Sequence, residues 1–251
     1  MVRCLTLLTL LLSSLVPDLR AQWEIFAQRI PVDGSWATYR VTTLGEAGQS
    51  DRIGEIRVSS RDGTVVEGVP SVWLEVQPVK WLGSRNKGRL SFLIPRAMDR
   101  EKAARLLEVS REILFTDPVK GPWYLFPEDV RDLVELVDLS NTWSWSPLGQ
   151  EEAKDGQGKA RACEKESLTG RLALDPPLVR ASVTTFAGTV WRDPSTPFGV
   201  VRAEWTSTER KGDETEVERK RIELLDCGVD TTKPPPIEHG ERFTYWRLIR
   251  R

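Results

Sequence analysis

Histidine is nearly absent from this sequence: His239 is the only one, between Glu238 and Gly240, just after Pro234-Pro235-Pro236. A histidine-dependent triad would have to rest on that tail, and no Gly-x-Ser-x-Gly elbow accompanies it. A surface histidine is the better reading. Cysteine is scarce as well, with Cys4, Cys163 and Cys227 making up the full set. Isolated cysteines and one histidine have no metal-ligand spacing, so neither a metal site nor a cofactor is expected. Gly149, Gly156 and Gly158 lack the strand-before, helix-after setting of a phosphate loop. Charge of one sign is also missing: 36 Lys and Arg face 37 Asp and Glu, mixed along the chain. That balance excludes the electrostatic footprint of a nucleic-acid binder or of a protein drawn to an anionic membrane.

The longest apolar run opens the chain. Leu5-Thr6-Leu7-Leu8-Thr9-Leu10-Leu11-Leu12-Ser13-Ser14-Leu15-Val16 follows Arg3 and ends in Pro17 and a polar stretch to Ala21. It is shorter than the roughly 20 residues a membrane-spanning helix needs. A charged start, an apolar middle and a small residue at the break fit a secretory signal peptide over residues 1–21, cleaved after Ala21. An uncleaved anchor is the alternative. Cys4 precedes the apolar run and is misplaced for acylation, so no lipid anchor is expected. The mature chain then carries 34 cationic against 36 anionic side chains, after Arg3, Arg20 and Asp18 are removed. In an oxidising, secreted or periplasmic setting, the remaining Cys163 and Cys227 are expected to form a disulfide. The chain-entropy estimate for so long a loop is about 4 kcal/mol.

The rest of the chain reads mainly as strands. Residues 35–42, 52–59, 72–77 and 89–94 alternate apolar and polar side chains and carry many aromatic and β-branched residues. Arg61-Asp62-Gly63 and Lys211-Gly212-Asp213 have the composition of hairpin turns. Asp99 is a candidate N-cap for one main helix, with Ala103, Leu106, Leu107, Ser110, Ile113 and Leu114 on one face. Pro127 starts a second, short helix with Val130, Leu133, Val134 and Val137 on its stripe. Residues 146–158 are polar and glycine-bearing and read as an exposed loop. Strand signals resume at 161 and culminate in Val190-Trp191-Arg192-Asp193-Pro194-Ser195-Thr196-Pro197-Phe198-Gly199-Val200, a strand, a Pro/Gly corner and the next strand. The expected organisation is one β-rich α+β domain over 22–233, in halves 22–145 and 159–233 joined by the loop 146–158. Residues 234–251 form a tail. The fold expected is a curved antiparallel sheet or half-open β-barrel with the two helices packed on it.

The corner from Trp191 to Glu204 and the closing Ile222-Glu223-Leu224-Leu225-Asp226-Cys227-Gly228 resemble a pattern of secreted bacterial proteins of unestablished function. With Trp73-Leu74-Glu75 and the main helix, the order of elements over 35–228 is similar to the LolA/LolB-type lipoprotein-carrier superfamily. That resemblance implies a half-open barrel whose mouth is plugged by helices and whose apolar cavity takes lipid acyl chains. No ligand-contacting residue of the carriers matches a position here.

Ten tryptophans are the one unusual feature of the composition. Each brings a large apolar surface and a single N–H donor, suited to a core or to the wall of an apolar pocket. Trp143 and Trp145 are two apart and face the same way on a strand. Trp73, Trp81, Trp191 and Trp205 are the candidate ligand-binding residues, since they sit on or beside strands of the expected concave wall. The reading is a non-catalytic protein binding an apolar ligand, a lipid or lipoprotein acyl chain. A rival is an envelope scaffold that meets a protein partner through a sheet edge or the proline run. A carbohydrate-active enzyme would need two of Glu75, Asp193 and Glu204 to face one cleft, about 5 to 9 Å apart.

Overall fold

The computed structural model describes residues 23–45, 50–80, 86–136, 140–175, 180–232, 237 and 240–242. The apolar leader, Trp81, Val137, residues 234–236, His239 and residues 243–248 lie outside them, as do the side chains of Leu133 and Val134. Eleven strands follow one another: β1 (Ser35–Leu44), β2 (Arg52–Val66), β3 (Val69–Lys80), β4 (Lys87–Pro95), β5 (Glu112–Asp117), β6 (Gly121–Leu125), β7 (Ser140–Lys154), β8 (Ala160–Leu174), β9 (Ser182–Arg192), β10 (Val200–Lys211) and β11 (Glu214–Val229). A two-residue β12 (Glu241–Arg242) returns to pair in parallel with β6. Among the described residues four short helices are interspersed: α1 (Glu24–Ala27), α2 (Arg100–Ala104), α3 (Leu106–Val109) and α4 (Pro127–Leu136).

All twelve strands share one sheet, in the order β12-β6-β5-β4-β3-β2-β1-β11-β10-β9-β8-β7. Two antiparallel meanders, β1 to β6 and β7 to β11, meet where the first strand pairs with the eleventh, with Ala37 opposite Cys227 and Val41 opposite Ile222. The sheet is curved but does not close, and β7 and β12 are its edges. Register shifts at Thr38/Tyr39, Asp62/Val65, Val76/Val79 and Pro147/Gly149 are bulges, which add to the twist of the strands and bend the sheet. The concave face carries the main core. Tyr39, Val58, Leu74, Phe92, Phe115, Val200 and Leu224 meet Phe26 of α1, Ala103 of α2, Leu106 of α3 and Val130 of α4 there. The α+β half-barrel indicated by the sequence is the fold.

Several expected elements take other forms. The single helix over 99–114 is two one-turn helices with a break at Arg105, whose φ of −113° and ψ of 35° leave the helical region. Asp99 does cap α2, accepting from the Lys102 N–H at 2.8 Å. Ile113 and Leu114 belong instead to β5, which is buried on both faces. A continuous apolar run of that kind fits a helix stripe and a buried strand equally well. The 146–158 segment is not a loop. Most of it continues β7, paired with β8 from Ser140 opposite Ala173 to Lys154 opposite Ala160. Backbone pairing satisfies this edge strand without burial, so its polar sequence gives no strand pattern. The hairpin after β2 turns at Glu67 and Gly68, both at positive φ, rather than at Arg61-Asp62-Gly63.

The expected Cys163–Cys227 disulfide is absent: both thiols are free. Cys163 is on β8 and Cys227 on β11, with β9 and β10 between them in the sheet. Strands stand about 4.8 Å apart, so pairing in the sheet does not bring two such cysteines to the 4.4–6.8 Å Cα separation a disulfide needs. Burial raises the pKa of both thiols.

Candidate functional site

Beyond the reach of α1, the concave face of β7 to β10 carries a patch of large rings. Two cross-strand rows make it. Trp143 of β7 stands opposite Gly170 of β8, which stands opposite Phe186 of β9. One step along, Trp145 faces Leu168, Leu168 faces Gly188, and Gly188 faces Trp205 of β10. The two glycines give the rings their room. A Cβ on Gly170 would lie 2.4 Å from the Trp143 ring, and one on Gly188 would lie 2.6 Å from the Trp205 Cβ. The Trp143 ring therefore lies over a point of β8 that has no side chain, and at Gly188 the β10 backbone and the Trp205 Cβ come close.

The result is a stacked floor. Trp143 and Phe186 have ring centroids 5.2 Å apart at 28°, and Trp143 and Trp145 6.3 Å apart at 26°. Phe186, Leu168 and Trp205 are buried, while Trp143 and Trp145 are partly buried at the open edge of the sheet. The indole nitrogens of Trp143 and Trp145 are shielded from solvent yet have no hydrogen-bond partner. Leaving such a donor unmet costs about 1–3 kcal/mol, so the floor holds two donors with a free energy to gain from an acceptor. Where β10 meets β11 the apolar surface ends at Lys220, opposite Trp205, with its ammonium 2.8 Å from a Glu218 carboxylate oxygen.

A buried carboxylate fixes the helices above this floor. Glu166 of β8 accepts from Arg192 of β9 at 3.0 Å and from Arg100 at the start of α2. Arg192 in turn donates to the Ile25 carbonyl of α1 at 3.3 Å. Burial pulls the pKa of Arg192 down, against the opposing pull of Glu166. At the other end of α2 the Asn141 amide of β7 donates to the Ala104 carbonyl at 2.8 Å. The helical cover is thus attached to the sheet by a few polar contacts at its ends and by the apolar contacts of Ala103 and Leu106.

The four tryptophans singled out from the sequence are not brought together. Trp205 lies in the main core beside the floor. Trp73 is on the opposite face with Leu93 and Leu114, and Trp191 forms a separate cluster with Ala153, Cys163 and Val201. Trp81 lies outside the described residues. The other rings of the floor, Trp143, Trp145 and Phe186, are not among these four. Their signal was present in the two-residue spacing of the tryptophans and in single glycines within strand patterns.

The three carboxylates do not converge either. Glu75 contacts Arg61 and Ser91, each at 3.4 Å. Asp193 binds Ser195 in the corner and Arg161, and Glu204 binds Arg202 and Arg221. Burial works to raise the Asp193 and Glu204 pKa values, but hydrogen bonds and arginine charge hold both below the usual range. Strands β2, β1 and β11 separate Glu75 from Glu204. Among the described residues no three His, Cys, Asp or Glu side chains are grouped to hold a metal ion. No helix among them is long and apolar enough to cross a membrane.

No family model matches the chain, and no curated protein does. Two solved structures are similar to it. One is a LolA superfamily protein from Nitrosomonas europaea, 9% identical, with 83% of this chain and 91% of that chain covered and a TM-score of 0.27. The other, from Vibrio parahaemolyticus, is a domain assigned to outer membrane lipoprotein sorting, also 9% identical, with coverage of 83% and 90% and a TM-score of 0.27. The resemblance is a weak one at the level of the fold. At that depth it assigns no ligand to this chain.

Proposed function

We propose that this chain is a non-catalytic binding protein of an extracytoplasmic compartment, which takes an apolar ligand such as a lipid or lipoprotein acyl chain on the concave floor of its half-open sheet. The observation that carries this reading is the ring floor of Trp143, Trp145, Phe186 and Trp205 at the open edge, with two unmet indole donors. Apolar burial supplies the affinity, about 25 cal/mol per Å2 covered, and the indole N–H groups select a ligand with an acceptor near one end. Trp205 is the candidate that this reading retains. Trp73 and Trp191 belong to clusters away from the floor.

The test is titration with a fluorescent fatty-acid analogue, read by energy transfer from tryptophan and by displacement with unlabelled lipid. Trp145→Ala should weaken binding by about 1–3 kcal/mol, and Trp73→Ala should leave it unchanged. Equal affinity in Trp145→Ala and the parent protein would remove the reading.

One observation favours a second reading. Strand β7 is a fifteen-residue edge whose outer half is exposed, and an unpaired edge can accept a strand from a protein partner. The Pro147/Gly149 bulge interrupts that edge and leaves two shorter stretches for pairing. A stable envelope protein recovered with the chain, and no lipid, would favour this reading.

A further inference from the structure

The face of the sheet opposite the helices holds a different kind of site. Where β1 to β5 run side by side, an open cleft of about 480 Å3 is lined by Glu55, Arg57, Gln77, Lys87, Arg89 and Thr116, among others. The alternation of the strands places it on the outer face. Gln77 follows Trp73 and Glu75 along β3, and Arg89 precedes Ser91 and Leu93 along β4, all pointing away from the main core. Three cations from two strands line one cleft with a single carboxylate, Glu55.

The cations are incompletely paired. Arg89 has its Nε shielded from solvent with no hydrogen-bond partner. The Glu75 oxygen lies 3.7 Å away from that nitrogen, beyond hydrogen-bond range, and already accepts from Arg61 and Ser91. Lys87 has no ion-pair partner among the described residues. Arg57 is held at the rim by an ion pair: its guanidinium lies 4.2 Å above the Trp36 ring and donates to the exposed Asp230 at 2.9 Å. Arg57, fixed by its neighbours, Arg89, with an unmet Nε donor, and the Lys87 ammonium form a donor set for an anion with several oxygens.

We propose that this outer cleft binds a phosphate-bearing ligand, through Arg89 and Lys87 with Arg57 at its rim. The donors come from two strands, and a phosphate group accepts from more directions than a single carboxylate does. The chemistry is shared by a free phosphorylated small molecule and by a phospholipid headgroup. The inference does not depend on the apolar floor, which lies on the other face.

Calorimetric titration of the full chain with inorganic pyrophosphate, in low and in raised salt, tests it. Binding should be saturable and weaker in raised salt. Arg89→Gln and Lys87→Met should each lower the affinity by about tenfold or more, while Trp145→Ala leaves it unchanged. Lys87 is exposed, so Lys87→Met carries the test if Arg89→Gln fails to fold by circular dichroism. Sedimentation with phosphatidylglycerol vesicles separates the sources. Vesicle binding that requires the same two residues assigns the site to a headgroup, and pyrophosphate binding alone assigns it to a soluble phosphate. Absence of binding to both probes, or affinities indifferent to both substitutions, would overturn the proposal.

Discussion

Strands β3 to β5 bury both of their faces over the central residues, whereas β8 to β10 bury residues of one face over part of their length and β7 and β11 are mostly exposed or half-buried. In the first group Leu74, Phe92 and Phe115 face the helices, and Trp73, Leu93 and Leu114 are buried on the reverse side. In the second group the strands reach sixteen residues and run on past the helical cover, with charged pairs such as Arg52–Glu218 along their ends. One continuous sheet therefore has two working regimes. The first half supplies a two-sided core, and the second half supplies reach and a ring floor at an open edge. Burial on two faces and exposure at an edge cannot be had from the same strands, and the β1–β11 pairing lets one sheet have both.

The comparison breaks most visibly under truncation. Phe92→Ala removes a fully buried ring in the first half and should cost about 3–5 kcal/mol, read from denaturant midpoints. Trp143→Ala in the second half should cost about 1–2 kcal/mol, because that ring is only partly buried and one unmet donor leaves with it. Equal costs would make the floor an ordinary core and remove the distinction. Next in size is Glu166→Gln, which leaves the buried Arg192 guanidinium without its carboxylate and should cost about 3 kcal/mol. Pairing it with Arg192→Met should recover most of that loss, since no buried charge then remains. Failure to recover would place the effect in packing between α2 and β8.

The two regimes were unequally legible in the sequence. The β9–β10 corner, the Asp99 cap, the helix start at Pro127 and the turn at Gly212 follow from local rules, and each is where those rules put it. Residues 112–114 read as the end of a helix stripe because a strand buried on both faces has no period of two to display. The 146–154 part of strand β7 reads as a loop for the opposite reason, since an exposed edge is paired through its backbone and its side chains need no pattern. Among the candidate site residues, alternation tells which side chains share a face but not which face becomes concave. Trp73 and Trp205 look equivalent along their strands, and only the curvature of the whole sheet puts one outside and the other beside the floor.

The smallest expected effect lies at the seam between the halves. Helix α1 packs across it, with Phe26 against Tyr39 of β1 at 4.8 Å and against Phe198 of the β9–β10 corner at 6.5 Å. Glu24 opens this helix, and burial pushes its carboxyl from the ordinary 4.5 up to about 7, only partly opposed by the backbone N–H groups of Glu24 and Trp23. Between those two values the folded chain keeps a proton that the unfolded chain has released. Stability therefore falls as pH rises through that window, and the full loss is present above it. Such a displacement corresponds to about 3 kcal/mol at most, and relaxation around a half-buried side chain should reduce it to about 1–2 kcal/mol. Glu24→Gln removes the ionisation without changing the shape of the side chain. It should match the parent protein at pH 4 and exceed its unfolding free energy at pH 8 by about 1–2 kcal/mol. A difference that is constant across this range would mean that Glu24 is solvated in the folded state, and the seam would then hold the halves together through its rings alone.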